Sequence, residues 1–308
     1  MRVTQRMMVD RMVQYTNQTM ERLAKLQSLG AAERKFVNFS DNPSAAAASL
    51  SLRSTLNSSA SYLETARLTD EWMTASEVAL EKLESIASRY LVKVRGAATD
   101  TLGEDERSTV AAELEAARQD AITTANSRHQ DSYIFAGFKI KTQPFVIDPD
   151  DPTGLTVLYQ GDDRTIQRSI APNQLIDVNV DGLYDAAGNK VYTKDIFLNF
   201  FNNLQQAADA LRSDDTAAIA AAADALEESL TQLSELRGIN GARLSHVNNT
   251  IGYIEDTQLA LQKSLANNEN INLAEVITQM RQQEIVYQAI LEVSSRTMAT
   301  ANLFQYLG

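Results

Sequence analysis

The chain has 308 residues, a net charge of −12 and no cysteine. Without cysteine there is no disulfide, no thiolate nucleophile and no cysteine-based zinc site. The acidic balance offers no basic stripe to displace counterions from phosphate, so nucleic acid is excluded as an expected partner. Apolar residues make up 44% of the chain but aromatics only 6%, and alanine-rich runs at 45–48 and 217–225 favour helices packed at close range over a thick core. The length allows two or three domains. Charge is uneven: residues 1–36 carry seven Lys/Arg against three Asp/Glu, and the remainder is strongly acidic.

In chain order, the first helix is expected over 4–29. Met8, Met12, Tyr15 and Thr19 keep a three–four rhythm that Leu23, Leu26 and Leu29 continue. Gly30 is expected to interrupt it. Residues 37–43 read as a turn, with Asp41 or Asn42 capping a new helix and Pro43 at its first position. A long helix follows over 44–98, with Trp72, Ala75, Ala79, Leu83, Ile86, Tyr90 and Val94 as a narrow coiled-coil seam. Gly103 marks a break. Glu104, Asp105 and Glu106 then place negative charge on the first turn of the next helix, where the helix dipole favours it. Val110, Leu114, Ala117 and Ala121 form its buried stripe, and it is expected to reach residue 128.

Composition changes near residue 140. Four of the five prolines (Pro144, Pro149, Pro152 and Pro172) fall within 141–196, with Gly154, Gly161, Gly182 and Gly188. Strands are expected at 155–160, 165–170 and 175–180, and Gly188-Asn189 reads as a hairpin turn before a strand at 190–193. Helices resume over 195–211 and again after Ser213-Asp214-Asp215, with Leu226, Leu230 and Leu233 on one face. Gly238 and Gly241 mark a break or a tight packing point. Helix is then expected to continue with little punctuation to the C-terminus.

The two ends are the most helix-committed parts. Residues 1–29 and 253–307 contain neither glycine nor proline. Between 285 and 307, 14 of 23 residues are apolar or aromatic and only Glu292 and Arg296 are charged. Val286, Ile290, Val293 and Phe304 cover one side of the helix, Tyr287, Leu291, Met298 and Ala301 the next. Ile285, Ala299 and Leu303 cover the rest. A helix that is apolar on every side must be buried on every side, which one partner helix cannot do. A bilayer could, but each central charge would cost roughly 2.5–3.5 kcal/mol on insertion, so neighbouring protein is the expected cover. Arg2, Arg6, Asp10 and Arg11 interrupt any apolar core of a signal peptide. Both ends as long amphipathic helices can pair antiparallel at one end of a rod with the β insertion at the other, the outline of a polymer subunit.

Chemistry finds little purchase. His129 and His246 are the only histidines, with no metal-ligand spacing around either, and read as surface or interface residues. Residues 177–182 match the first half of a calcium loop, but Gly188 stands where the bidentate Glu belongs; a strand running into a turn explains the alternation. Asp148, Asp150 and Asp151 read as a solvated loop. No phosphate loop, nucleophile elbow or dinucleotide fingerprint is present. No enzyme, cofactor or metal is expected.

Several stretches are familiar. Ser28 and Gly30, followed by Ser40-Asp41-Asn42-Pro43 and Ala45-Ala46-Ala47, resemble the "Ser-x-Gly … Ser-Asp-Asp-Pro-x-Ala-Ala" signature of the flagellin superfamily. Within it, Tyr133-Ile134-Phe135-Ala136-Gly137 followed by Pro144-Phe145 resembles the "Tyr-x-Phe-x-Gly … Pro-Phe" motif of the hook–filament junction family, hook-associated protein 3. Tyr159-Gln160-Gly161-Asp162 resembles the "Tyr-x-Gly-Asp" that follows it. The start Met1-Arg2-Val3-Thr4 and the ending Leu303-Phe304-Gln305-Tyr306-Leu307 also look like the family's. Gln305 departs from an expected Asp, and 29–33 is less basic than usual, which blurs ring-contact detail. Flagellin itself has no proline at the position of Pro43 and ends in Leu-Leu-Arg.

The resemblance implies a mainly α protein with a small β insertion. It would be an elongated rod of long antiparallel helices, a terminal coiled coil plus a helical bundle, with a β-rich outer domain. The divisions would be 1–42 with 266–308 as paired terminal helices of an inner tube, 43–140 with 195–265 as the helical rod, and 141–194 as the outer domain. The implied function is structural: a ring of subunits in the bacterial flagellum joining the hook-side adaptor, the first hook-associated protein, to the flagellin filament, outside the cell. Inter-subunit packing would fall to Met8, Met12, Tyr15, Leu23 and Leu26 at one end. At the other it would fall to Val286, Tyr287, Ile290, Leu291, Val293, Met298, Leu303, Phe304 and Leu307. Export through the flagellar secretion channel, with a chaperone on the C-terminal helix, is implied as well; nucleic acid and membrane are not expected partners. Three alternatives stay open: flagellin, revealed by long filaments from this chain alone; a surface-interaction module displayed by 141–196; and, least favoured, an enzyme, for which a turnover screen with metals is the check.

Overall fold

The computed structural model describes residues 5–98, 103–185 and 187–306, with side chains described over 7–98, 103–185 and 187–296. Among them are six α-helices and eight short strands. In order these are α1 (Gln5–Ala32), α2 (Pro43–Ala97), α3 (Glu104–Ala125), β1 (Arg128–His129), β2 (Ser132–Tyr133), β3 (Phe145–Ile147), β4 (Val157–Tyr159), β5 (Gln167–Ala171), β6 (Gln174–Asp177), β7 (Gly182–Tyr184), β8 (Lys190–Tyr192), α4 (Thr193–Arg212), α5 (Thr216–Glu269) and α6 (Leu273–Tyr306). The strands form four separate antiparallel hairpins in sequence order, β1–β2 through β7–β8. The mainly α character with small antiparallel β elements is as expected from the composition shift at residue 140. No helix of the described residues is long and apolar enough to cross a membrane.

The chain forms two compact units, one of residues 1–58 and 257–308 and one of residues 59–256. Helices α2 and α5 contribute residues to both.

In the larger unit the core grows from α4. Its Ile196, Phe197, Phe200, Phe201, Leu204, Ala207 and Leu211 recur at helical spacing and are all buried, against Leu114, Ala117 and Ala121 of α3. Aromatic edges interlock: Phe135 meets Phe197 at 5.0 Å, and Phe145 stands perpendicular to Phe201 at 5.6 Å. The α2 seam read from spacing is inside, with Trp72, Ala79, Leu83, Ile86 and Val94 buried and Ala75 and Tyr90 partly so. It faces an antiparallel α5 through polar clamps. Arg237 donates to Glu77 (2.6 Å) and Glu84 (2.8 Å), and the buried Asn240 amide donates to the Met73 carbonyl (3.0 Å). The β5–β6 hairpin seats Ile170 and Ile176 on Met73 of α2 and Val247 of α5.

Three local expectations change. Gly30 does not end α1, which runs on to Ala32; the stop comes where Glu33 takes a left-handed φ of 53°. Gly238 and Gly241 neither break α5 nor mark a close approach, since a Cβ added at either would meet nothing within 4 Å. The helix expected to run unbroken to the C-terminus bends between Glu269 and Leu273. Four of the six residues 267–272 are asparagine, a residue whose side chain competes with the helix for backbone hydrogen bonds.

The bend is tied to the turn after α1. Lys35 N–H donates to the Glu269 carbonyl (2.7 Å), and Arg34 bridges Asn270 in antiparallel register. The Glu269 carboxylate, only 9% exposed, accepts from Arg53 Nε (3.1 Å) and Nη2 (2.7 Å), with Arg34 nearby. Asn268 Nδ2 donates to the Ala45 carbonyl and to Ser49 Oγ, both at 2.8 Å. On the other side of the turn, Asn42 Oδ1 accepts the Ala45 N–H (3.1 Å), capping α2 with Pro43 at its first position, as read from sequence.

Arg53 holds the Glu269 carboxyl below its ordinary value of 4.5. A lowered folded-state pKa means the unfolded chain binds more protons in the interval between, so this contribution is complete above about pH 4.5 and lost as pH falls. Glu269→Gln is expected to weaken the smaller unit by about 1–2 kcal/mol at pH 7, since both guanidiniums lie near water. The variant should be flatter than wild type between pH 5 and 3, by hydrogen exchange at residues 33–36 and 268–272.

Candidate assembly surface and motif residues

Helices α1 and α6 pack against each other in the smaller unit. They run antiparallel: Gly30 lies by Val276, with 3.6 Å from an added Cβ to its Cγ1, while Met8, Met12 and Tyr15 share a groove with Val286, Ile290 and Val293. Shielded residues on α1 are Val9, Met12, Thr16, Thr19, Leu23, Leu26, Leu29 and Gly30, and on α6 Val276, Met280, Gln283, Tyr287, Ile290 and Ser294. Both sets step by three and four, the spacing of a two-helix coiled-coil seam. Gly30 sits on this seam, but a Cβ there would make only an ordinary contact with Val276, so the approach of α6 does not depend on glycine.

This seam is partly polar, at Thr16, Thr19, Gln283 and Ser294. Thr16 and Thr19 turn their hydroxyls back to the Met12 and Tyr15 carbonyls (2.9 and 2.8 Å). Other large apolar residues lie outside it. On α1, Met7, Met8, Val13, Tyr15 and Met20 are between 46% and 58% exposed; on α6, Ile285, Val286, Leu291 and Val293 are between 45% and 66% exposed. Of these, Met8, Tyr15, Val286 and Val293 gather along one largely apolar groove, the kind of surface at which proteins interact.

Of the residues assigned to inter-subunit packing, Met8, Tyr15, Val286, Leu291 and Val293 are therefore exposed, whereas Met12, Leu23, Leu26, Tyr287 and Ile290 are partly spent on the seam. The side chains of Met298, Leu303 and Phe304, and Leu307 altogether, lie outside the described residues, as does the start 1–4. Spacing missed the polar seam positions because Thr16 and Gln283 carry no hydrophobic signal.

The motif residues have structural work. In the turn after α1, Asp41 accepts Lys25 Nζ (2.8 Å) and the Asn38 N–H (3.1 Å), which keep its carboxyl below the usual range. Ser28 Oγ donates to the Lys25 carbonyl, and Ser40 is exposed. In the larger unit two motifs that are separate in sequence lock together. Gly137 adopts φ 61°, and a Cβ there would sit 2.2 Å from the Asp162 carbonyl oxygen. Asp162 Oδ1 accepts the Phe138 N–H (3.0 Å), and its own N–H donates to the Ala136 carbonyl (3.1 Å). Tyr159 Oη lies 3.1 Å from the Phe135 carbonyl and 2.9 Å from that of Asp162, and burial raises its pKa. Gly161 allows the Tyr159 ring past. Phe135, Pro144 and Phe145 are buried and Tyr133 partly so, with the Arg128 guanidinium over its ring at 5.0 Å.

The acidic stretches are self-satisfied. Asp177 accepts from Gln167, Asn179 holds the Ile166 N–H and the Arg164 carbonyl, and Asp181 pairs with Lys190 and Thr165. Asp151 accepts from Thr153, Leu155 and Thr156. Among the described residues no group of three His, Asp or Glu is placed to hold a metal ion. His129 stands edge-on to Trp72 at 6.1 Å and 3.7 Å from Glu71, and His246 lies 2.7 Å from Gln174 Nε2.

No family model matches the chain. It is 23% identical to flagellar hook-associated protein 3 of Salmonella typhimurium over 325 residues, covering 99% of each chain, and 23% identical to that of Escherichia coli K12 over 319 residues, covering 98% of each. The chain resembles flagellar hook-associated protein 3 almost from end to end. Solved structures share the fold. A flagellar hook-associated protein of Vibrio parahaemolyticus superposes with a TM-score of 0.61 at 15% identity, over 75% of this chain and all of that one. FlgL of Bacillus cereus gives 0.55 at 15% identity, and FlgL of Xanthomonas campestris 0.53 at 18%, each over 70% of this chain and 99% of the other. The likeness to hook-associated protein 3 therefore rests on the whole chain, beyond the motifs that first suggested it.

The motif lock predicts unequal glycine effects. Gly137→Ala, which combines left-handed backbone with a clash against Asp162, should lower stability by about 2–4 kcal/mol. Gly154→Ala, with a similar φ of 66° and open space around it, should cost about 1 kcal/mol. Thermal denaturation of the two variants checks the order.

Proposed function

We propose that this chain is a structural component of the bacterial flagellum, a hook-associated subunit that forms the junction ring between the hook-side adaptor and the flagellin filament. Its curated relatives are named for the hook-associated role. One observation carries the assembly reading: α1 and α6 spend a narrow, partly polar seam on each other and leave a second set of large apolar residues exposed, among them Met8, Tyr15, Val286, Leu291 and Val293. Surface of that kind is covered when copies pack side by side, and residues 1–42 with 266–308 line the inner tube of the ring. The helical residues 43–140 and 195–265 support it, and the β-rich residues 141–194 stay on its solvent side. The first hook-associated protein binds one end of the ring and flagellin the other. The subunit acts outside the cell. Before export, a chaperone covers the apolar face of the C-terminal helix, which would otherwise aggregate. No catalytic role is assigned.

Leu291→Glu with Val293→Glu separates assembly from folding. Both side chains are about half exposed, so the free chain should keep its stability within about 0.5 kcal/mol. In a strain lacking the protein, the variant should be exported but fail to attach filaments to hooks. Filaments that attach normally would remove the assembly role from this surface. A loss of several kcal/mol in the free chain would place both residues inside its own fold.

A further inference from the structure

The chain has eight methionines, and five of them, Met1, Met7, Met8, Met12 and Met20, fall in the first 20 residues. A thioether packs as a hydrophobe, but its sulfur lone pair stays open to two-electron oxidants wherever they can reach it. With no cysteine in the chain, no thiolate competes for the oxidant. Met8 is 46% exposed and Met12 is half-buried, on one wall of the groove whose other wall carries Val286 and Ile290. Apart from the Arg11 guanidinium and the Tyr15 hydroxyl, the side chains lining that groove are hydrocarbon and thioether. Met73, in the larger unit, has no exposed surface and serves as an internal reference.

We propose that Met8 and Met12 form an oxidant-responsive modification site: hydrogen peroxide or a hypohalous acid converts them to sulfoxides on the unassembled chain, and the oxidised groove no longer accepts a neighbouring copy. The proposal rests on the assembly reading above and adds a chemical control to it. With peroxide, the sulfur lone pair attacks one peroxide oxygen. The S–O bond forms as the O–O bond breaks, sulfur gives up two electrons, and the departing hydroxide takes the proton carried by the transferred oxygen and leaves as water; with a hypohalous acid the halide leaves and that proton goes to solvent. The sulfoxide oxygen is a strong hydrogen-bond acceptor. Covering it with a neighbour's apolar side chains strips its water and supplies no donor. The reduced groove is a good partner surface; the oxidised one keeps its water and stays open.

The test treats the full-length chain with graded hydrogen peroxide and maps sulfoxides by peptide mass spectrometry. Met8 is expected to gain oxygen at least about tenfold faster than buried Met73; equal rates would overturn the proposal. Treated and untreated chains are then supplied to hooks from a strain lacking the protein. Oxidation is expected to raise the concentration needed for attachment roughly tenfold, and methionine sulfoxide reductase with a dithiol should restore it. Each variant is read as its own treated-to-untreated ratio. Met8→Leu with Met12→Leu should bring that ratio close to one, and Met7→Leu with Met20→Leu should leave the loss in place. Persistent sensitivity in the first pair, or repair of the sulfoxides without recovery, would overturn the proposal. Untreated wild-type chain that cannot join hook to filament would overturn the assembly reading, and with it the assembly half of the proposal; the mapping still reads the oxidation chemistry alone.

Discussion

Two helices can hide only one stripe of each other, and the smaller unit of this protein has more apolar surface than one stripe can cover. The geometry of a coiled-coil pair sets the limit: residues at steps of three and four meet the partner, and those between face water. Here threonine, glutamine and serine occupy several of the shielded steps beside leucine, methionine and isoleucine, while Met7, Met8, Val13, Ile285, Val286, Leu291 and Val293 stand outside. Pairing of α1 with α6 is therefore a weak use of their sequences. The apolar residues outside the seam stay exposed on the free chain.

The rest of the smaller unit is built with polar chemistry rather than a core. The Glu269 carboxylate between Arg53 and Arg34, Asn268 on the start of α2 and Asp41 on Lys25 hold the turns at which the chain enters and leaves the paired helices. Such contacts are directional and individually modest. They orient the helices without consuming the apolar faces. The larger unit inverts this economy: Phe197, Phe200, Phe201 and Phe145 are fully enclosed, and its acidic loops close on their own backbone donors.

Much of this was legible in the residues. Period three–four spacing found the α2 seam and the α3 stripe because both are apolar and buried within one chain. Pro43 behind Asn42 announced the start of α2, since proline suits the first helical position and asparagine caps it. The short strands β1, β2, β3 and β7 were not foreseen; two or three residues of hairpin carry no periodic signal. Nor was the helix break after Glu269, where Lys35, Arg34 and Arg53 converge from distant parts of the sequence.

By itself, the sequence determined that both ends are helical, that the C-terminal helix is apolar on more sides than one partner can cover, and that a β-rich segment interrupts the helices. These are properties of local spacing and composition, which physics reads over a few turns. Only the tertiary structure decided which stripe of α1 meets α6, that Gly30 comes to lie beside Val276, and that Gly137 must be glycine because Asp162 comes to lie against it. Those outcomes depend on residues tens to hundreds of positions apart meeting in space. Pairings of that kind follow from packing the whole chain and leave no trace in any one segment of it.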